Sequence, residues 1–107
     1  MPAHTYGQIL IEVTMDITQL RSDINQIDQE LCQLFVRRMA IAAEIAQYKK
    51  THGLPVLDSN REREVLQKVS GFAGEKFAPY ACSLYQTLMD LSKAYQNEVL
   101  EQSSQSN

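Results

Sequence analysis

The sequence predicts an all-α fold of three helices, one long, one short and one of medium length, assembled as a homodimer. Three observations carry this prediction. From Leu20, apolar residues recur in alternating steps of four and three through Ile24, Ile27, Leu31, Leu34, Ile41, Ile45 and Tyr48, which marks the seam of one long helix. Past residue 15, glycine and proline gather at two places, Gly53 to Pro55 and Gly71 to Pro79, and so divide the chain into three stretches. The first stretch, about 34 residues, makes a helix roughly 50 Å long. A compact chain of about 100 residues has a radius of gyration near 13 Å. The long helix overshoots any globule the chain builds alone, so another copy must cover part of its seam.

The first helix runs from about Ile17 to Lys50, with Asp16 or Thr18 as its N-cap. Thr51, His52, Gly53 and Pro55 end it, because glycine closes a helix and proline cannot extend one. A short helix begins after Leu57. Asp58 or Ser59 caps it, and Ser59 with Glu62 has capping-box spacing. Val65, Leu66 and Val69 form its apolar face, and Gly71 to Gly74 breaks it. The third helix starts near Ala78 and Pro79 and runs to about Gln102, with Ala81, Leu84, Leu88, Leu91, Tyr95 and Val99 as its stripe. Residues 103–107 are polar and expected to be disordered. Residues 1–15 form an N-terminal extension whose weak alternation leaves strand or loop open. The helical domain is therefore placed at 16–102.

Size and charge narrow the function. With 107 residues the chain is a single domain, and a formal net charge of -3 argues against nucleic acid as its partner. No apolar run approaches the roughly 20 residues that span a bilayer. The N-terminus has no basic start leading into an apolar stretch, so no signal peptide is expected. Cys32 and Cys82 lack metal or redox spacing, and His4 and His52 are isolated. Two buried free thiols in a reducing cytoplasm are expected, with no metal and no cofactor.

One member of the seam breaks the pattern. Arg38 stands where Leu34 and Ile41 call for another apolar residue. A guanidinium is charged at every accessible pH, and burying it without an anion costs several kcal/mol. Its partner is either a protein carboxylate, such as Glu30 or Glu44, or the carboxylate of a ligand. Lys49 follows eleven residues later on nearly the same face, about 16 Å along the axis. The two long side chains can grip a small dianion between them. Arg21 flanks the seam about 25 Å from Arg38, too far for the same small molecule. In an antiparallel dimer, the partner's Arg21 enters between Arg38 and Lys49. Taken singly, Lys49 also reads as a solvated residue near a helix end and Arg21 as a surface residue.

Two further clusters follow. Asp58, Arg61 and Glu62 lie at the start of the short helix, with the acids four apart on one face. They suit acid–base work or acceptance of a substrate hydroxyl, and equally suit helix capping. Ser92 and Gln96 are four apart beside the third helix's stripe, either as neutral donors or as boundary residues. No nucleophile is paired with a base, and there is no glycine-rich phosphate loop. Cations, neutral donors and a few acids describe a pocket that binds a compact polyanion and stabilises shifting charge.

Together these residues resemble the all-helical chorismate mutase family. The stretch LRSDINQIDQELCQLFVRRMAIAAEIAQYKKTHGLPVLDSNREREVL carries the family's LR, IDxxL, RM, YK, GLP and D-xx-RE pattern, and Ser92 and Gln96 follow at the family's spacing. The resemblance covers about Ile17 to Glu101. It implies an intertwined helical homodimer with two active sites, each completed by the other chain's long helix. By the same resemblance, Arg21 from the partner and Arg38 from its own subunit bind the two carboxylates of chorismate. Lys49 and Gln96 hydrogen-bond the ether oxygen, Glu62 holds the ring hydroxyl with Asp58 assisting, and Arg61 and Ser92 line the carboxylate side. All eight positions match the family pattern.

The implied reaction is the Claisen rearrangement of chorismate to prephenate, a committed step toward phenylalanine and tyrosine. Two alternatives stand beside it. An isochorismate-pyruvate lyase on the same fold would be expected to carry a loop lysine before the short helix, and Leu54 to Asn60 contains none. A non-catalytic helical dimerisation module would use the polar residues for pairing specificity.

Overall fold

A computed structural model of the chain describes residues 16–105. Three helices follow one another: α1 (Ile17–Thr51), α2 (Ser59–Ala73) and α3 (Ala78–Gln105). The described residues contain no strand. The N-terminal extension 1–15 and the last two residues lie outside the described part. Among the described residues no helix is long and apolar enough to cross a membrane.

The helix ends follow from their sequences. Asp16 caps α1, its Oδ1 accepting from the Gln19 amide at 3.0 Å. At the other end Gly53 takes φ +66°, the left-handed region open to glycine. The Leu54 amide then donates to Lys49 O at 2.8 Å and the Gly53 amide to Lys50 O at 3.3 Å. This doubly bonded termination satisfies carbonyls that the last turn would otherwise leave open.

Asp58, in extended conformation, caps α2 by accepting from the Arg61 amide at 3.0 Å. The Ser59–Glu62 capping box does not form. Ser59 already has helical geometry, so the acceptor position falls one residue earlier. Helix α2 ends within the expected break, Gly71 to Gly74, with Gly71 itself inside the helix. A lone glycine costs a helix only about 1 kcal/mol, and the helix runs on to Ala73, where Gly74 closes it at φ +82°.

Helix α3 begins at Ala78, as expected, with Pro79 in the first turn, where a missing N–H breaks no bond. It continues past Gln102 to Gln105, so residues 103–105 of the expected disordered tail are helical. No glycine or proline follows Pro79 to stop it, and Lys50 Nζ donates to Ser103 Oγ at 3.2 Å.

The chain divides into two compact units, residues 1–37 and 38–107. In the described part of the first, Asp16 to Arg37, every residue but Phe35 is exposed, the seam included. Cys32 is exposed too, contrary to expectation, while Cys82 in the second unit is half-buried.

In the second unit the core is small: Ala42, Ala46, Val69 and Met89. On α1 the buried line is Ala42 and Ala46, with Arg38 and Lys49 half-buried at its two ends. The apolar seam residues Ile41, Ile45 and Tyr48 remain exposed. On α3 the expected stripe is likewise displaced, because Leu84 and Leu91 are exposed. The most buried face of that helix is Met89, Ser92 and Gln96.

Candidate active site

That face closes a cavity of about 260 Å³ inside the second unit, walled by the end of α1, the start of α2 and the middle of α3. This is slightly below the roughly 300–1,000 Å³ of clefts that hold drug-sized ligands, which leaves room for one compact metabolite at most. Seven of the eight expected site residues line it: Arg38, Lys49, Asp58, Arg61, Glu62, Ser92 and Gln96. Arg21 is exposed in the first unit and does not line it.

From α1, Lys49 is held by the loop that follows its own helix. Its Nζ donates to Val56 O at 2.8 Å, which leaves two ammonium protons for the cavity. Arg38 places its guanidinium carbon 5.7 Å from the centre of the Tyr85 ring, within cation–π reach. Among the described residues no carboxylate pairs with Arg38 or Lys49. The protein partners considered for Arg38, Glu30 and Glu44, therefore do not neutralise it. Two half-buried cations without counter-ions make the α1 wall electropositive.

Helix α2 contributes one turn. Asp58 spends Oδ1 on its own helix cap. Arg61 lines the cavity, but its guanidinium bonds Glu64 Oε1 at 2.6 Å on the exposed side. Lys68 joins the same carboxylate, and its hydrogen bond is the main cause that holds the Glu64 carboxyl below the usual range. Glu62 is about four-fifths buried and lines the cavity.

On α3, Ser92 and Gln96 are 7% and 6% exposed, the most buried polar residues described. One turn apart, they share a bond from Gln96 Nε2 to Ser92 Oγ at 3.0 Å. Gln96 Oε1 is buried with no partner among the described residues. An orphaned buried amide oxygen costs about 1–3 kcal/mol, so this site is incomplete until something polar joins it.

Lys93 also lines the cavity, and sequence reasoning missed it. Its Nζ bonds Glu62 Oε2 at 2.8 Å across the α2–α3 interface and reaches Asp90 Oδ1 at 3.5 Å. The bond to Glu62 is the first cause raising the Lys93 pKa above 10.5, so the group stays protonated. The available signal was its place between Ser92 and Gln96, one turn from Met89. Its partner on another helix left no trace in local spacing.

The cavity is all-helical, with cations that lack a carboxylate partner among the described residues on one wall, buried neutral donors on another and an inward carboxylate. Residues 20–97 match the family described as chorismate mutase type II, and the chain belongs to that family. It is 25% identical over 93 residues to a chorismate mutase of Methanocaldococcus jannaschii, covering 85% of this chain and 94% of that protein. It is 32% identical over 85 residues to the bifunctional chorismate mutase/prephenate dehydratase of Escherichia coli K12, covering 78% of this chain but 22% of the relative. The T-protein of Haemophilus influenzae is 39% identical over 51 residues, 48% of this chain and 14% of that protein. The chain thus spans under a quarter of these two longer relatives. No solved structure matches it.

Proposed function

We propose that this chain is a chorismate mutase that rearranges chorismate to prephenate in the cavity between α1, α2 and α3. The observation that carries the reading is the pairing of unneutralised Arg38 and Lys49 with the buried Ser92–Gln96 couple opposite.

The rearrangement is intramolecular. One carbon–oxygen bond of the enolpyruvyl ether breaks as one carbon–carbon bond forms, and no proton or electron leaves the substrate. The protein need only select the compact conformer and stabilise the charge that develops. Arg38 takes one substrate carboxylate, with Ser92 along that side and Arg61 joining it once released from Glu64. Lys49, held at Val56 O, aims an ammonium proton at the ether oxygen as it gains negative charge. Gln96 supplies the second donor. The amide nitrogen carries two N–H donors: Ser92 Oγ engages one, and the other is left for the ether. Glu62 accepts the ring hydroxyl, with Asp58 beside it.

The second carboxylate requires a further cation, and the partner's Arg21 supplies it in a homodimer. Support comes from the seam: Leu20, Ile24, Ile27, Leu31, Leu34, Ile41, Ile45 and Tyr48 are all exposed, between 44% and 59%. Such an apolar stripe, interrupted at Arg38, is costly in water and complementary to a second copy of itself. The exposed thiol of Cys32 suits a reducing compartment, and we place the dimer in the cytoplasm, on the route to phenylalanine and tyrosine.

The test is direct. Purified protein is mixed with chorismate, and its disappearance and the appearance of prephenate are followed, with isochorismate in parallel. Consumption of chorismate to prephenate is expected. Release of pyruvate from isochorismate at a higher kcat/KM would favour the lyase instead, and no turnover of either would leave a dimerisation module.

A further inference from the structure

The ion pair between α2 and α3 has no place in the roles above. Lys93 and Glu62 are 26% and 21% exposed, line the same cavity and meet at 2.8 Å. Other cations at the cavity behave differently. Arg38 and Lys49 have no carboxylate partner among the described residues, and Arg61 turns its charge outward to Glu64. Lys93 alone among these four cations neutralises a carboxylate that faces inward.

An anionic Glu62 creates two difficulties for a site that must admit a dianion. Its charge repels the substrate's carboxylates in a partly desolvated space where screening is weak. Its side chain also has three rotatable bonds, and a hydroxyl acceptor held loosely contributes little to orientation. One ammonium at 2.8 Å addresses both. It offsets the charge, and by engaging Oε2 it leaves Oε1 as the oxygen open to a substrate hydroxyl. Asp90 Oδ1, 3.5 Å away on the solvent side of α3, holds the ammonium from behind.

We propose that Lys93 is a positioning residue for Glu62, fixing the carboxylate that receives the substrate's ring hydroxyl and cancelling its charge toward the incoming dianion. This rests on the reading of the cavity as a chorismate site. It assigns hydroxyl recognition to a pair of side chains, one from each of two helices, instead of to a lone acid. A purely structural clamp between α2 and α3 would affect stability and leave substrate preference alone.

The experiment measures kcat and KM for chorismate and for an analogue lacking the ring hydroxyl. It uses the full chain as wild type, Lys93→Met, Lys93→Gln and Lys93→Arg. Lys93→Met is expected to raise KM for chorismate by about tenfold and to cut the preference for the hydroxylated substrate by a similar factor. Lys93→Arg keeps both values near wild type. Lys93→Gln, which retains a hydrogen bond without the charge, keeps the hydroxyl preference but not the low KM. Adding Glu62→Gln to Lys93→Met recovers the part of KM lost to charge repulsion but not the part owed to the hydroxyl, so the preference stays lost. Should Lys93→Met fold poorly, the Lys93→Gln and Lys93→Arg pair carries the same contrast. Unchanged KM and preference in Lys93→Met, with only a lower melting temperature, would overturn the inference and leave the mutase reading standing. A wild type that does not consume chorismate overturns both.

Discussion

Gln96 donates through Nε2 to Ser92 Oγ at 3.0 Å, and its amide oxygen is buried without a partner among the described residues. Two neutral groups on one turn of α3 therefore hold a donor in readiness whose capacity does not change with pH. Activity should be nearly level between pH 5 and 7.5. Gln96→Glu should behave otherwise. A carboxyl buried there beside substrate anions titrates above the ordinary value of about 4.3, donates only while protonated, and repels the ether oxygen once ionised. Its rate should be highest in acid and fall as pH rises, and a pH series of kcat for both proteins measures this. Collapse of the wild-type rate across the same interval would remove Gln96 from the proposed role.

Arg38 lies over Tyr85 without a carboxylate of its own among the described residues. Arg38→Ala should lower kcat/KM for chorismate roughly 10- to 150-fold, the value of one charge-assisted contact of about 1.5–3 kcal/mol. Helicity by circular dichroism should be unchanged. A dimerisation module would instead pack as well or better after the charge is removed, with nothing lost in catalysis.

Sharing of the site between chains makes a sharp prediction. Arg21→Ala and Arg38→Ala proteins each keep about a tenth of wild-type activity or less. Unfolded together and refolded at equal amounts, they form mixed dimers with one intact site. About a quarter of wild-type activity should return, from half the dimers each carrying one of two sites. No recovery, with mixed dimers demonstrated by tagged chains, would place Arg21 outside the neighbouring site.

Lys93 also links to stability. Its pKa is raised above 10.5, first by its bond to Glu62. A folded-state pKa above the unfolded one gives stabilisation that is fully present below the unfolded value and lost as pH rises through the folded value. The melting-temperature gap between wild type and Lys93→Met should hold steady from pH 7 to 9 and close above about pH 10.5. It should be small, about 1 kcal/mol or less, since both side chains retain partial access to water. A gap that widened with pH would contradict the pair.

Much of the fold was legible because helix ends are local chemistry. Asp16, Asp58, Gly53 and Gly74 sit within four residues of the groups they satisfy, so spacing alone located them. The choice between Asp58 and Ser59 as cap was less visible, since each can accept a backbone N–H. The run past Gln102 was missed because polar residues read as tail, and a helix continues through polar residues when nothing stops it.

The stretch of α3 around Ser92 shows where local pattern stops. Its apolar stripe pointed to Leu84, Leu88 and Leu91 as the inner face, with Ser92 and Gln96 at the edge. In the structure Ser92 and Gln96 are among its most buried residues while Leu84 and Leu91 are exposed. An apolar stripe marks a surface that will be covered without saying by which chain.

The chain's order of residues determined three helices, their caps, an out-of-place arginine and the pattern of its family. All of these depend on neighbours within about one turn or on residue identity alone. Packing decided which face each helix turns toward the cavity, left Arg38 and Lys49 without an acidic partner among the described residues and joined Lys93 to Glu62 across thirty-one positions of chain. A contact between two helices depends on their axial offset and rotation, and neither quantity is contained in the periodicity of either helix.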